Sequence, residues 1–157
     1  MDTPLKSRPA LGPIPALKAR HRTAILGSLT IAGRAEEVSG ARAFMARTLA
    51  ATAKGRRVDS DAATLLTSEL ITNAILHTTS GTADGTVTIV VVDVPDGVLI
   101  EVIDDGSAGT PVVKGDLFAA DGHGLYLVQQ LAAQWGYLRD PAGTTVWFHL
   151  AAERPDG

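Results

Sequence analysis

Apolar side chains recur at every third or fourth position in three stretches of the chain, which predicts three helices. The first covers residues 36–54. The second follows an N-cap at Asp59 or Ser60 and ends near residue 80, because Ser and Asp favour the N-cap position. The third covers residues 125–134 and opens just after a glycine-bearing segment.

Between and after these helices, runs rich in Val, Ile and Thr predict strands. Residues 86–94 and 98–103 are separated by a short turn and form an antiparallel hairpin, and residues 29–32 form a short strand before the first helix. Residues 135–138 and 144–150 form a closing hairpin. The order of elements predicts an α+β fold: a two-layer sandwich with helices on one face of a mixed, mostly antiparallel sheet.

A stripe of polar residues runs along the second predicted helix. Glu69, Asn73 and His77 recur every four residues, and each such step turns a helical side chain by only about 40°. A carboxylate, a carboxamide and an imidazole therefore share one side of the helix, beside apolar residues. Taken alone, the stripe is compatible with a solvated face or with a polar site.

Two glycine-bearing segments follow the stripe. Asp104, Gly106 and Gly109 leave directly from a predicted strand, and Gly122 and Gly124 open directly into a predicted helix. Glycine allows close approach of a ligand to the backbone, and a helix N-terminus suits phosphate. Each segment alone is also compatible with an ordinary turn, and neither matches a P-loop or the dinucleotide fingerprint.

Composition and charge restrict the class of protein. The 157 residues are 45% hydrophobic and 20% charged and contain no cysteine, which fits one globular domain in a reducing cytoplasm. Residues 1–27 are rich in proline and hold five basic side chains against one acidic one, so we expect a disordered leader. Residues 28–152 form the expected domain and 153–157 a tail. Residues 28–157 together hold nine basic and sixteen acidic side chains, and this negative charge argues against direct binding of nucleic acid. No apolar run is long enough for a bilayer, so no membrane contact is expected.

In order and spacing, the segments beginning Glu69-Leu-Ile-Thr-Asn73, Asp104-Asp-Gly106-Ser and Gly122-His123-Gly124-Leu125 resemble the motifs of the GHKL (Bergerat-fold) ATPase/kinase superfamily. Gly-Thr-Thr-Val at residues 143–146 resembles its closing strand entry. More narrowly, the chain resembles the anti-sigma-factor serine/threonine kinases, over about residues 28–151.

The resemblance implies a role for each matching residue. Asn73 would coordinate a Mg²⁺ that bridges the phosphates of ATP, and Glu69 would be the general base that prepares a serine or threonine hydroxyl of a partner protein. Asp104 would accept a hydrogen bond from the adenine amine, with Gly106 and Gly109 allowing the base to approach.

Further residues complete the implied nucleotide site. The segment of Gly122, His123, Gly124 and Leu125 would hold phosphates, and Thr145 would complete the adenine environment. Lys114, the only basic residue of a lid at residues 112–121, would contact phosphate, although an ordinary exposed lysine is the alternative. His77 would contact the nucleotide or only cap the helix.

One departure from the family pattern and several functional alternatives remain. Ala108 stands where the first glycine segment of the family has its second glycine, and Gly109 follows one residue later. The implied function is an anti-sigma factor that binds a sigma factor, phosphorylates an anti-sigma antagonist and forms a homodimer. An ATP-binding partner-switching module without phosphoryl transfer, the catalytic domain of a sensor histidine kinase and a fold that binds no nucleotide are the alternatives.

Overall fold

In the part of the chain that the structure describes, one sheet of six strands carries two α-helices on one of its faces, which confirms the predicted α+β class. The structure, a computed structural model, describes residues 10–11, 25–77, 81–106, 128, 130–141 and 143–155. Among these residues, no helix combines the length and the apolar character that crossing a membrane requires.

The two helices lie close to their predicted positions. The helices are α1 (Val38–Ala50) and α2 (Ser60–His77), each preceded by a short 3-10 turn, Ala35–Glu37 and Gly55–Arg57. The Asp59 carboxylate caps α2, because its Oδ1 atom accepts a hydrogen bond of 3.0 Å from the Ala62 amide. The first prediction was too long at both ends, since only the central part of 36–54 is α-helical.

The sheet has the strand order β1-β5-β6-β4-β3-β2. Its strands are β1 (Ala10–Leu11), β2 (Ile25–Ala32), β3 (Thr86–Val94), β4 (Gly97–Asp104), β5 (Gln134–Asp140) and β6 (Gly143–Ala151). All neighbours are antiparallel except β1 and β5, which run parallel. Both predicted hairpins, β3–β4 and β5–β6, are therefore confirmed.

Two predicted boundaries were wrong. The strand β2 begins at Ile25, not at residue 29, and the strand β5 begins at Gln134, where a helix had been expected to end. Five residues of the expected disordered leader 1–27 lie in strands: Ala10–Leu11 and residues 25–27. Edge pairing with a neighbouring strand supplies main-chain hydrogen bonds without a periodic apolar pattern, so composition alone does not reveal it.

The sheet has two ends with different chemistry. At the hairpin end, the β3–β4 turn lies beside the start of α2, because Val58 bridges to Ala152, and Ala151 pairs with Gly97. At the Asp104 end, β4 finishes between the starts of β3 and β6. Both α2, with 18 residues, and β4, with 8, start at the hairpin end. Helical and extended rises make these elements similar in length, about 27 Å, so both reach the Asp104 end.

The main core lies between the helices and the sheet. Every second side chain of the strands points toward the helices. The largest side chains of this core with essentially no exposure are Met45, Leu49, Leu66 and Ile71 from the helices and Ile89, Ile100 and Phe148 from the sheet. A second, smaller apolar cluster of Val92, Leu99 and Trp147 lies apart from this core. These three residues alternate with core residues along their strands, so they point to the face opposite the helices.

Candidate functional site

The polar stripe of α2 lies along one margin of its buried face. Glu69 is half-buried, whereas Asn73, one turn later, is only 9% exposed. Leu70 and Ala74, the next residue after each, are buried in the core. Because each four-residue step rotates the stripe by about 40°, the stripe turns toward the sheet as α2 approaches the Asp104 end.

Asn73 is a buried polar side chain without a hydrogen-bonding partner among the described residues. A carboxamide has an oxygen that accepts and an amino group that donates hydrogen bonds, so it can bind a polar ligand. Glu69 likewise has no ion pair with another described residue. These two groups are therefore available to a ligand at the Asp104 end.

Asp104 closes the central strand β4 and is 8% exposed. Its Oδ1 atom accepts hydrogen bonds from the Gly106 amide at 2.7 Å and the Thr144 amide at 3.2 Å. No other described residue donates to its Oδ2 atom. Two main-chain donors thus fix the carboxylate and leave one oxygen for a donor such as an exocyclic amine.

Burial raises the pKa of Asp104 from 3.8 to about 6. The hydrogen bonds from Gly106 and Thr144 lower the pKa, the neighbouring Asp105 carboxylate raises it, and the Arg139 guanidinium lowers it. The carboxylate is therefore mostly ionised at neutral pH and acts there as a hydrogen-bond acceptor.

Two glycines shape the backbone around Asp104. Gly106 has φ +77° and Gly143 has φ +154°, a region that residues with a side chain rarely adopt. A Cβ atom on Gly143 would lie 1.9 Å from the Asp104 carbonyl oxygen, and one on Gly106 would lie 3.0 Å from the Gly143 Cα atom. Both positions therefore require glycine for the two loops to meet.

Thr145, which the resemblance assigns to the adenine environment, and its neighbour Thr144 lie on different faces of the sheet. Thr145 pairs with Ile103, whereas Thr144 pairs with Asp104. Opposite residues of paired strands share a face and successive residues alternate, so Thr145 lies on the other face of the sheet from Asp104. Thr144, which is 4% exposed, is the residue beside the carboxylate. The signal in the sequence is the apolar residue at every second position, 146, 148 and 150, because Thr144 continues this series.

Arg139 is a second residue that sequence reasoning missed. It pairs with Thr144 from the other side, on β5, and so lies on the same face as Asp104. Its guanidinium carbon lies 5.7 Å from the centre of the Tyr137 ring. The exact register between β5 and β6 cannot be read from the sequence, so no local pattern identifies Arg139 as a residue of the site.

The remaining predicted residues lie outside the part of the chain that the structure describes. His77 ends α2, but its side chain is among the undescribed atoms. The others outside the described ranges are Gly109, Lys114, Gly122, His123, Gly124 and Leu125.

The described side chains offer few ligands for a divalent cation. No group of three His, Cys, Asp or Glu side chains in the described ranges could hold a metal ion. The Asn73 carboxamide and the nearby Glu69 carboxylate are oxygen donors of the kind that Mg²⁺ accepts. Mg²⁺ usually takes only one or two protein oxygens and fills its remaining positions with phosphates and water, so this end of α2 fits the ion in company with a nucleotide.

A protein-family model covers most of the chain. The family model described as a histidine kinase-like ATPase domain matches residues 31–150, which includes both helices, β3 to β6 and the Asp104 end of the sheet. No curated protein matches the chain significantly.

Proposed function

Since this chain belongs to the histidine kinase-like ATPase domain family, we propose that it is an ATP-binding anti-sigma factor of the cytoplasm that phosphorylates a serine or threonine of an anti-sigma antagonist. The observation that carries the proposal is the buried Asn73 carboxamide, which has no described partner and lies on the helix that reaches the Asp104 end. Base and phosphates would thus bind between one strand end and one helix.

Recognition of the nucleotide begins at the base. The Oδ2 atom of Asp104 accepts a hydrogen bond from the exocyclic amine of adenine, while its Oδ1 atom keeps its hydrogen bonds from the Gly106 and Thr144 amides. The glycine at position 106 keeps side-chain atoms away from the base. Adenine would therefore lie at the end of the sheet, with its phosphates directed toward α2.

At α2, the Asn73 oxygen would hold Mg²⁺, which usually completes its coordination with phosphate oxygens and water. When bound, this ion offsets the charge of the triphosphate, which would otherwise meet an acidic protein body. Glu69 lies one helical turn earlier, about 6 Å along the axis, so it can lie beside the same phosphate without itself holding the ion.

In the transfer step, the Glu69 carboxylate accepts the proton of the partner hydroxyl as that oxygen bonds to the γ-phosphorus. The bond between the γ-phosphorus and the bridging oxygen breaks, and ADP leaves with the electron pair. The products are ADP and a phosphorylated serine or threonine.

The surroundings of Glu69 support a protein as the second substrate. Glu69 is half-buried, and Leu65 and Leu76, at 42% and 64% exposure, lie four residues before and seven residues after it. These spacings place all three on one ridge of α2. Exposed apolar side chains beside a catalytic base suit contact with a protein rather than with water.

Two variants test the separate roles proposed for Asn73 and Glu69. Asn73→Ala should abolish Mg²⁺-dependent binding of a fluorescent ATP analogue. Glu69→Gln should retain binding but slow phosphorylation of the purified antagonist by labelled ATP about 100-fold or more. Thr72→Ala, an exposed change on the same helix, is the control and should match the wild type in both assays.

The outcomes separate the competing functions. Unchanged Mg²⁺-dependent affinity in Asn73→Ala would show that the metal assignment is wrong. If the wild type binds ATP but produces no phosphoserine or phosphothreonine on the antagonist, the chain is an ATP-binding partner-switching module without kinase activity.

A further inference from the structure

A row of three polar side chains crosses the sheet at the Asp104 end. Asp104 on β4 and Arg139 on β5 both pair with Thr144 on the intervening strand β6. The three therefore point to the same face, toward the helices. The residues two positions away on the three strands, all in the main core, are Val102, Tyr137 and Val146.

Arg139 holds a positive charge in a fixed place on this row. Two strand spacings separate it from Asp104, about 10 Å between backbones. Its Nε and Nη2 atoms are buried, and its guanidinium lies over the Tyr137 ring, a favourable arrangement for a cation. The guanidinium thus adds a cation to a row that also holds the Asp104 carboxylate.

The ionisable groups around Asp104 are few among the described residues. Asp105 follows it in the chain, Arg139 approaches from β5, and α2 carries Glu69. β3 and β6 oppose Asp104 with Val87 and Thr144, which do not ionise. Asp105 raises the pKa of Asp104 and Arg139 lowers it. Arg139 is thus the one described cation that opposes the effect of burial.

The ionisation state of Asp104 decides which purine it can bind. An ionised carboxylate only accepts hydrogen bonds, whereas a protonated one also donates. Adenine presents a donor at position 6, its amine, and hypoxanthine presents an acceptor there, its carbonyl oxygen. Because Oδ1 is held by two amides, the protonation state of Oδ2 selects between adenine and hypoxanthine.

We propose that Arg139 is a positioning residue that keeps Asp104 in its acceptor form and thereby selects 6-amino over 6-oxo purine nucleotides. The inference rests on the proposed function, since it concerns the same nucleotide site. Arg139 acts on the base only through Asp104.

The test compares the affinities of ATP and inosine triphosphate for each variant between about pH 5 and pH 7.5. The ratio of the two affinities cancels the titration of the phosphates, which is the same in both probes. Because the ratio follows the ratio of ionised to protonated Asp104, it should fall in the wild type by up to tenfold per pH unit as the pH drops through the pKa. Asp104→Asn, which presents an amide donor at every pH, should prefer inosine triphosphate throughout.

Removal of the Arg139 charge should shift the pH dependence of the affinity ratio to higher pH. Arg139→Gln and Arg139→Met should each lower the ATP preference at pH 7 by about three- to tenfold. Arg139→Lys keeps the charge and should retain most of the wild-type preference. Arg42→Gln, a neutral replacement of an exposed arginine on α1, is the matched control and should leave the profile unchanged.

A second measurement follows Asp104 without any nucleotide. In protein labelled with ¹³C at the aspartate carboxyl carbons, the Asp104 resonance should titrate at higher pH in Arg139→Gln and Arg139→Met than in the wild type. Two neutral variants keep the test valid if one fails to fold. An unshifted titration together with an unchanged ATP preference would overturn the inference, whereas binding of neither nucleotide to the wild type would instead overturn the proposed function.

Discussion

The two ends of the sheet differ in how their charged groups are used. At the hairpin end, Lys54 forms an ion pair of 2.8 Å with Asp93 and donates to the carbonyls of Val94 and Pro95. Arg57 donates to the Glu153 carbonyl at 2.8 Å. At the Asp104 end, a buried carboxylate is held by two amides and has no hydrogen-bonded cation among its described partners.

The difference shows where the fold is stabilised and where it is left available for binding. At the hairpin end, Lys54 and Arg57 donate hydrogen bonds to main-chain carbonyls, and Lys54 also pairs with an acidic side chain, so these groups are satisfied within the protein. The Asp104 end keeps a carboxylate whose ionised form burial disfavours. Such a cost is expected at the nucleotide site that we propose, because binding sites often trade stability for function.

The largest expected effects come from replacing one glycine at each end of the sheet. Gly143→Ala places a Cβ 1.9 Å from the Asp104 carbonyl oxygen, and Gly97→Ala places one 2.1 Å from the Leu150 carbonyl oxygen. Each should lower the free energy of unfolding by about 3 kcal/mol or more, measured by urea denaturation. In the cold, where both remain folded, only Gly143→Ala should lose ATP affinity. Equal affinity in the two variants would contradict the difference between the ends.

Neutralising the buried carboxylate should stabilise the protein at neutral pH. Because the folded-state pKa of about 6 exceeds the ordinary value of 3.8, folding favours the protonated form, and stability falls as pH rises between these values. Asp104→Asn retains an oxygen for the two amides and should raise the free energy of unfolding at pH 7 by about 2 kcal/mol. Below about pH 4 the gain should vanish. A variant less stable than the wild type at pH 7 would show that burial does not penalise the carboxylate.

At the hairpin end, removal of a cation should have the opposite sign. Lys54→Met loses the ion pair with Asp93 and the bonds to two turn carbonyls, which should lower the free energy of unfolding by about 1 kcal/mol. ATP affinity should not change. Arg56→Met, which loses one exposed hydrogen bond to the Ala50 carbonyl, is the control and should have a smaller effect. A loss of ATP affinity in Lys54→Met would mean that the two ends are coupled.

The smallest expected effect tests the register at the Asp104 end. Thr144→Val and Thr145→Val each replace a hydroxyl by a methyl group on adjacent residues that face opposite sides of the sheet. Thr144→Val should weaken ATP binding by about threefold to tenfold, as expected for one hydrogen bond near the base, and Thr145→Val should not. The reverse result, read by titration of a fluorescent ATP analogue, would restore the assignment made from the sequence.

Local patterns were sufficient for much of the fold. The two helices, the β3–β4 hairpin and the cap at Asp59 follow from spacing and residue type, which act over a few residues. The start of β5 at Gln134 and the pairing of β1 could not be predicted in this way, because they depend on contacts between segments far apart in the chain.

The candidate site shows the same division. Asn73 and Asp104 stand out as polar residues at the ends of apolar elements, and the structure brings both elements to one end of the sheet. Thr144 and Arg139 become visible only when β4, β6 and β5 are aligned residue by residue. A shift of one residue in that alignment moves a side chain to the opposite face, so Thr144 shares a face with Asp104 and Thr145 does not.

The contact between Gly106 and Gly143 also limits how sequences of this fold can diverge. Each glycine occupies space that a side chain on the other loop would need, although the two positions belong to different motifs. Mutational drift at one position is therefore constrained by the other, and a library that randomises either loop alone should recover glycine. Redesign of the proposed adenine site would have to vary both loops together.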